Sequence, residues 1–241
     1  MLNEHKRLRP GIEKTVEYME EYIKKNNDVG YRLTILDNGS DDDTPDIARD
    51  LERTHPDVIR YVRIEERGVG VAFKTGVNQN TSDIVGYMDI DLSTDINMLG
   101  HAIELFKKDE GLKYINGTRF SKGSKTIGRK WYRKITSAGL VFILRSSLNM
   151  QCSDGICGFT FMRSDVAEKL VKESGDDKGW FYMIELLLRA ERHGYKILDL
   201  PVTFTENYDT TVNIGKTIRN YLVNIRRLRH TFKEEDNAKK N

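Results

Sequence analysis

Short apolar runs alternate with stretches of helical hydrophobic period through the first two thirds of the chain. The runs at 31–36, 59–64 and 84–88 are interleaved with stretches such as 10–25 and 96–106, in which apolar residues recur every three or four positions. Successive parallel strands need a crossover segment, usually a helix, so this alternation is typical of a parallel sheet covered by helices. We therefore predict an α/β fold.

Length and charge limit the classes of function that remain. The chain has 241 residues, room for one large domain or two small ones, and its 39 basic and 37 acidic residues give a net charge of +2. This balance provides no overall field to attract nucleic acid, so no nucleic-acid partner is expected. The apolar stretches at 138–144 and 184–188 are far shorter than the roughly 20 residues that cross a bilayer.

The start of the chain and its cysteines indicate a reducing compartment. The basic residues near the start are not followed by an apolar segment, so they do not form a secretory signal. Cys152 and Cys157 are too few for a secreted disulfide scaffold, and we expect both to be buried and structural. The expected location is cytoplasmic.

The end of the chain predicts a basic amphipathic helix from 214 to about 232, followed by a frayed polar tail from 234. We divide the chain into a main domain at 1–213 and a C-terminal helix and tail at 214–241. Two interpretations of the helix remain open. It docks on the domain with a solvated charged face, or it lies on an anionic membrane, peripheral to its inner face.

Two aspartates at the end of a predicted strand form the main candidate site. Asp89 and Asp91 directly follow the run at 84–88, at the carboxyl end of a strand, where α/β sheets open their binding crevice. Two such carboxylates can turn toward one hard divalent ion, which keeps waters and holds substrate phosphates. The pair predicts an Mg²⁺ or Mn²⁺ site, although a bare pair of this kind is also common in solvated loops.

Two further loops are placed to face the same crevice. Asp37 and Asn38 follow a predicted strand and can read a base edge or a ribose hydroxyl, or simply form an Asx turn. Gly68 and Gly70 begin a helix whose backbone N–H groups can approach phosphate, although their spacing does not match a dinucleotide fingerprint.

Basic residues and a polar segment complete the candidate site. Arg119 and Lys74 are candidate donors to phosphate oxygens, or else surface cations. The segment 121–129 is rich in Gly, Lys and Ser and predicts a mobile loop and candidate lid before a helix at 131–148.

Taken in this order, the loops resemble those of the family 2 glycosyltransferases, which have the GT-A fold, and especially the polyprenyl-phosphate and dolichyl-phosphate sugar synthases. The stretches that carry the resemblance are 33–44, 68–76, 89–95, 117–120, 154–159, 185–187 and 194–202. The resemblance implies a mixed, mostly parallel sheet with helices on both faces. Family members begin with an apolar strand that ends in Pro-x-Tyr-Asn-Glu, whereas this chain starts near the last two of these residues, Asn3 and Glu4. We therefore expect the family's first strand to be missing.

The resemblance also implies roles for the site residues. A nucleoside-diphosphate sugar would lie with its base near Asp37 and Asn38, and its pyrophosphate on Mg²⁺ or Mn²⁺ held by Asp91 with help from Asp89. The cation would stabilise the charge of the leaving diphosphate. Transfer in this family inverts the anomeric centre, and the acceptor would be a polyprenyl phosphate or a growing cell-surface glycan.

The need for a catalytic base depends on the acceptor. A lipid phosphate arrives ionised, whereas a hydroxyl acceptor needs a carboxylate to take its proton. Asp154 and Glu185 are the candidates for that role, with Arg119 as a further catalytic candidate. Glu185 matches an Asp-x-Glu-Leu-Leu segment of the family, in which Met183 here replaces the aspartate.

Two other classes remain as alternatives. The Gly117-Thr-Arg stretch and a related sheet also suggest a sugar nucleotidyltransferase, but that class needs its Gly-rich loop after the first strand, and here the loop lies in mid-chain. The third reading is a degenerate domain that binds a nucleotide or a partner without turnover.

Overall fold

The apolar and helix-period stretches form the kinds of element that they predict. The computed structural model describes residues 1–206 and 214–240, and within them the helices are α1 (Leu8–Lys25), α2 (Thr44–Thr54), α3 (Val69–Asn78), α4 (Asn97–Lys108), α5 (Trp131–Leu148), α6 (Ser164–Glu173), α7 (Phe181–Arg192) and α8 (Ile214–Ala238). The strands are β1 (Leu33–Asp37), β2 (Ile59–Arg63), β3 (Ile84–Met88), β4 (Leu112–Thr118), β5 (Lys125–Ile127), β6 (Phe159–Arg163), β7 (Lys196–Pro201) and β8 (Thr203–Thr205). The bounds of β3 and α5 are those predicted, and the predicted boundary at 213 falls outside the described residues.

The strands pair in both directions. β1 and β2 form a parallel pair, and four strands follow the order β3-β6-β4-β7, in which β6 is antiparallel to both neighbours and β7 is parallel to β4. β5 and β8 form a further parallel pair. Three of these five pairings in the described residues are parallel, which confirms the predicted mixed, mostly parallel arrangement.

Helices cover both faces of the four-stranded sheet, as predicted. Side chains alternate along β4, so Tyr114 packs into the cluster formed with α6 and α7, and Ile115 packs into the cluster formed with α4. Both side chains are almost completely inaccessible. Burial on both faces explains why the strand sequences are apolar runs and do not alternate between apolar and polar residues.

The first residue of the chain lies alongside β1. The Met1 amino group donates to Leu36 O at 2.8 Å, and the Asn38 N–H donates to Met1 O at 2.8 Å. Met1 thus bonds to the residues on either side of Asp37, which is the hydrogen-bond pattern of two parallel strands. Met1 therefore occupies the place beside β1 where the sequence analysis expects the family's first strand to end.

α8 docks on α7 through an apolar contact and a buried ionic network. The Tyr221 and Phe181 rings meet edge to face, 5.8 Å apart. Glu185 Oε1 accepts from Arg189 Nε at 3.1 Å, and Glu185 Oε2 accepts from Arg227 Nη2 at 2.5 Å. The docked interpretation of this helix is therefore correct for its buried side.

The prediction of a frayed polar tail from 234 is wrong, and the prediction of a loop at 121–129 is correct except for a three-residue strand. α8 continues to Ala238 because its last turns pair with α7, where Arg192 donates to Asp236. β5 lies inside the predicted loop, because its backbone finds a parallel partner in β8. Sequence composition alone could not reveal either distant partner.

Substitution of alanine for two helix glycines should have opposite effects on the free energy of unfolding. At Gly11 in α1, a Cβ would lie 2.2 Å from the backbone O of Ile90, whereas at Gly139 in α5 it would meet nothing within 4 Å. We expect Gly11→Ala to lower the free energy of unfolding by about 1–3 kcal/mol through overpacking. Gly139→Ala should raise it by up to ~1 kcal/mol through helix propensity. Urea denaturation measures both, and equal effects would contradict the close packing of α1 on the loop after β3.

Candidate functional site

The two aspartates lie in a turn that directly follows β3. Tyr87 OH donates to Asp89 Oδ1 at 2.8 Å, and the Ser93 N–H donates to Asp91 Oδ1 at 3.0 Å. Burial raises the pKa of Asp89 to about 6, and the negative charge of Asp91 adds to this rise against the opposing effect of the Tyr87 hydrogen bond. The pair thus holds more negative charge than its surroundings compensate.

Gly158, before β6, makes room for Asp89. The Asp89 N–H donates to Gly158 O at 3.0 Å, and a Cβ at Gly158 would lie 1.9 Å from Asp89 Oδ2. No residue with a side chain fits there without moving the carboxylate. Gly158 lies within the stretch 154–159 that resembles the family, but its local sequence gives no sign of this contact with Asp89.

The two aspartates fit a hard divalent cation by type of ligand. Within the described residues, no group of three or more His, Cys, Asp or Glu side chains is placed to hold a metal. Two carboxylates suit Mg²⁺ or Mn²⁺, which commonly takes one or two carboxylates together with waters and substrate phosphates. The burial of Asp89 beside the negative charge of Asp91 favours binding of such a cation.

Arg7, just before α1, is a cation beside this pair that the sequence analysis missed. Arg7 Nη1 lies 3.8 Å from Asp91 Oδ2. Its Nε and Nη2 donate to the Glu4 carboxylate at 2.6 and 2.9 Å. Glu4 and Arg7 thus connect the start of the chain to the aspartate turn.

Asp37 and Asn38 end β1 and are both buried. Asp37 Oδ1 accepts from the Ser40 N–H and its Oδ2 accepts from Tyr61 OH, each at 3.0 Å. Asp37 is thus held both by its own turn and by Tyr61 on β2. Asn38 Oδ1 is buried without a hydrogen-bond partner in the described part of the chain, so it is the group of this pair that can accept from a ligand.

Gly68 and Gly70 have a packing role that differs from the predicted phosphate cradle. The Gly70 N–H donates to Lys178 O at 2.9 Å. A Cβ at Gly68, whose φ is +146°, would lie 2.0 Å from the same oxygen. The lack of side chains at these glycines lets the backbone before α7 pack against the start of α3. Lys74 lies one turn further along α3 and is partly exposed.

Arg119 and Asp154 form a buried bidentate ion pair. Arg119 Nε and Nη2 donate to the two Asp154 oxygens at 2.7 and 3.0 Å. Asp154 Oδ1 also accepts from the Ile156 N–H at 3.1 Å. The pKa of Arg119 is raised because the Asp154 charge outweighs the effect of burial. Asp154 therefore positions Arg119, and it could act as a base only by giving up this pair.

Glu185, the second predicted base, lies in the network between α7 and α8. Its carboxylate is fully buried and accepts from Gly175 N–H, Arg189 and Arg227. This saturated environment gives Glu185 a structural role in docking α8. Local sequence could not reveal it, because Arg227 lies 42 positions away.

Arg129 is the functional candidate that the sequence analysis missed. Its side chain is only 3% exposed, and Arg129 Nη2 donates to Ser137 Oγ at 2.6 Å. Nε and Nη1 are buried without a hydrogen-bond partner among the described residues. Burial and the nearby charge of Arg119 lower the pKa of Arg129. Both guanidinium groups lie within 6 Å of the Phe120 ring centre, at 5.8 Å for Arg119 and 5.4 Å for Arg129.

Comparison with known sequences decides the family. A sequence model described as glycosyl transferase family 2 matches residues 1–171. The chain belongs to this family. Among curated relatives, glycosyltransferase AglD of Haloferax volcanii is 27% identical over 217 residues, which make up 90% of this chain and 34% of AglD. Dolichyl-phosphate beta-glucosyltransferase ALG5C of Trichomonas vaginalis is 25% identical over 224 residues, or 90% of this chain and 65% of ALG5C. The chain thus spans about a third of AglD and just under two thirds of ALG5C.

Solved structures show that the family 2 chain has the predicted GT-A fold. Glucosyl-3-phosphoglycerate synthase from Mycobacterium tuberculosis, in complex with phosphoglyceric acid, matches with a TM-score of 0.55 and 18% identity. The match covers 77% of this chain and 63% of that one. Mannosyltransferase PcManGT from Pyrobaculum calidifontis, in complex with GDP-Man and Mn²⁺, matches with a TM-score of 0.52 and 18% identity over 78% of this chain and 51% of that one.

We predict that Asp89→Asn stabilises the folded chain when no metal is present. The folded-state pKa of about 6 lies above the ordinary value of 3.8, so ionised Asp89 costs stability at neutral pH. This cost shrinks as the pH falls through 6 and is absent below about pH 4, where the carboxyl is protonated in both states. Asparagine keeps an acceptor for Tyr87 OH.

Thermal melting in chelator at neutral and acidic pH measures this effect. The variant should have the higher Tm at neutral pH and lose that advantage in acid. A lower Tm at neutral pH would contradict the view that Asp89 is a stability cost. Asp83→Asn, an exposed site just before β3, is the matched control and should leave Tm unchanged at both values.

Proposed function

We propose that this family 2 chain transfers a hexose from a nucleoside-diphosphate sugar to a polyprenyl phosphate, with inversion at the anomeric carbon. The observation that carries the choice of acceptor is Arg129, a buried arginine beside Arg119 whose Nε and Nη1 have no hydrogen-bond partner among the described residues. Buried donors of a charged group are costly unless a partner satisfies them. A phosphate supplies the acceptor oxygens and the negative charge together.

The charges around Arg129 also favour an anionic ligand. Among the described residues, three arginines cluster there and two carboxylates face them: Asp154 pairs with Arg119, and Glu206 pairs with Arg133. Glu206 Oε2 lies 3.9 Å from Arg129 Nε, beyond hydrogen-bond distance. A bound phosphate would balance this excess of positive charge.

The engagement of both predicted bases supports a phosphate acceptor over a glycan hydroxyl. A hydroxyl acceptor needs a free carboxylate, but Asp154 is held by Arg119 and Glu185 is held by Arg189 and Arg227. An acceptor phosphate is already ionised and attacks without a base. Two relatives from Trichomonas vaginalis, ALG5C and ALG5D, are dolichyl-phosphate beta-glucosyltransferases, which supports the same acceptor class.

Asp89 and Asp91 would hold Mg²⁺ or Mn²⁺ together with the donor diphosphate. The cation would stabilise the charge that develops on the leaving nucleoside diphosphate. Asn38 Oδ1, buried and unpartnered in the described residues, would accept a hydrogen bond from the nucleoside. Arg119, held rigid by Asp154, would orient the attacking phosphate.

Arg129→Gln should weaken use of the lipid acceptor while donor binding persists. Loss of charge-assisted hydrogen bonds worth about 1.5–3 kcal/mol corresponds to a roughly 10- to 100-fold fall in kcat/KM for polyprenyl phosphate. The assay supplies UDP- or GDP-sugar, Mn²⁺ and polyprenyl phosphate, and measures glycolipid. Arg60→Gln, an exposed arginine on β2, is the matched control and should retain full activity.

The same assay separates the alternatives. Full activity of the Arg129 variant with polyprenyl phosphate would overturn the acceptor assignment. Release of pyrophosphate from nucleoside triphosphate and sugar phosphate would indicate a nucleotidyltransferase instead. Donor binding without any transfer by the unmodified chain would indicate a degenerate domain.

Asp91→Ala should abolish metal-dependent donor use. Removing this carboxylate takes away electrostatic stabilisation, and we expect turnover to fall by on the order of 100-fold or more. Thermal stabilisation by UDP- or GDP-sugar with Mn²⁺ should also disappear in the variant. Unchanged turnover and stabilisation would remove Asp91 from the metal site.

A further inference from the structure

α5 exposes large apolar side chains on the side that faces away from the core. Trp131 is 73% exposed, Ile135 62% and Phe142 71%. Their spacing of four and seven residues places them in one row along the helix. The opposite side of α5 buries Val141 and Leu144. The exposed row is therefore an apolar face that contributes nothing to the core.

α8 exposes a second set beside the first helix. Ile218, Leu222 and Val223 are all at least 49% exposed, whereas Tyr221 and Ile225 on the same helix are buried. The buried residues of α5 and α8 belong to one hydrophobic cluster, so the two helices form a single packed unit. We call the exposed apolar residues of this unit, together with the basic residues around them, the α5/α8 surface.

The two segments that carry this surface contain many lysines and arginines and no acidic residue. Residues 119–153 and 214–233 together contain 14 of the 39 lysines and arginines and no aspartate or glutamate. The rest of the chain therefore has 25 basic and 37 acidic residues. Three of the 14 basic residues pair with carboxylates outside the two segments: Arg119 with Asp154, Arg133 with Glu206 and Arg227 with Glu185. The other eleven form a basic region that the overall net charge of +2 hides. Among its exposed members are Lys134 on α5 and Arg226 on α8.

We infer that the α5/α8 surface docks on an anionic lipid bilayer. Apolar and aromatic side chains would enter the interface between head groups and acyl chains, and the surrounding lysines and arginines would contact lipid phosphates. Among the described residues, no helix has the length and hydrophobicity of a membrane span. The inference stands on exposure and charge and does not need the proposed transfer reaction.

Charge complementarity selects the bilayer over a second copy of the chain. A dimer built on this surface would bring two strongly basic regions together without acidic partners, which opposes association. An anionic bilayer accepts the same charges and the apolar row at once.

Docking in this way would also place the proposed acceptor site at the membrane. Arg129 is bonded to Ser137, on the second turn of the same α5 whose first residue is Trp131. The Arg129 guanidinium group would then lie close to the level of the lipid phosphates.

Vesicle co-sedimentation of the full chain tests the inference without sugar nucleotide or polyprenyl phosphate. The unmodified chain should bind vesicles of phosphatidylcholine mixed with phosphatidylglycerol, and bind phosphatidylcholine alone weakly. A Trp131→Ser, Phe142→Ser variant should bind the anionic vesicles at least about tenfold more weakly, because binding scales with the apolar area inserted. Both positions are exposed, so an unchanged Tm is expected and confirms that the variant folds.

A charge reversal with a matched control tests the electrostatic part. Lys134→Glu with Arg226→Glu should reduce binding severalfold. Lys14→Glu with Lys108→Glu changes the net charge equally at exposed sites on α1 and α4 and should leave binding unchanged. Equal losses in the two variants would show a nonspecific charge effect and overturn the assignment of this surface.

Trp131 fluorescence reports the contact directly. In a Trp180→Phe background, anionic vesicles should shift the Trp131 emission to the blue, and brominated lipid should quench it. Absence of both changes, or of sedimentation by the unmodified chain, would overturn the inference. Concentration-dependent association without lipid that the Trp131→Ser, Phe142→Ser variant abolishes would identify a second copy as the occupant instead. Because no donor or acceptor is present, failure here leaves the proposed transfer reaction to its own assay.

Discussion

The buried ion pair between Arg119 and Asp154 joins the end of β4 to the loop before β6. Arg119 follows β4, and Asp154 begins the loop that carries Gly158 against Asp89. Two charges removed from water are tolerable only with bidentate geometry of this kind, and loss of one partner leaves the other unpaired. The position of the aspartate turn relative to the arginines therefore depends on this pair.

The site holds uncompensated charge of both signs a short distance apart. Asp89 and Asp91 repel each other, and burial raises the pKa of Asp89 to about 6. Arg119 and Arg129 repel each other, and burial lowers the pKa of Arg129. Both arrangements cost stability, which folded chains tolerate mainly where function requires it. A cation with a diphosphate on one side and a phosphate on the other would relieve both.

Sequence patterns predicted the parts of this site that depend on local order. β3 and the aspartates after it follow from an apolar run and its end, and both lie where expected. The roles of Arg129 and Glu185 depend on partners brought together by the fold. Arg129 lies in a polar stretch whose composition indicates a loop, although its side chain is buried. The glycines at the start of α3 predicted a phosphate-binding site, but the backbone before α7 packs directly against Gly68 and Gly70.

The two sequence interpretations of α8 describe different sides of one helix. Arg227 points to Glu185 and, with Tyr221 and the acidic last turns, fixes the helix to α7. Arg226, one position earlier, is displaced by about 100° around the helix and stays exposed. A helix that uses one side for docking thus keeps another for a second partner. The basic amphipathic pattern therefore cannot by itself distinguish docking from membrane contact, because both place apolar and basic residues on the same helix.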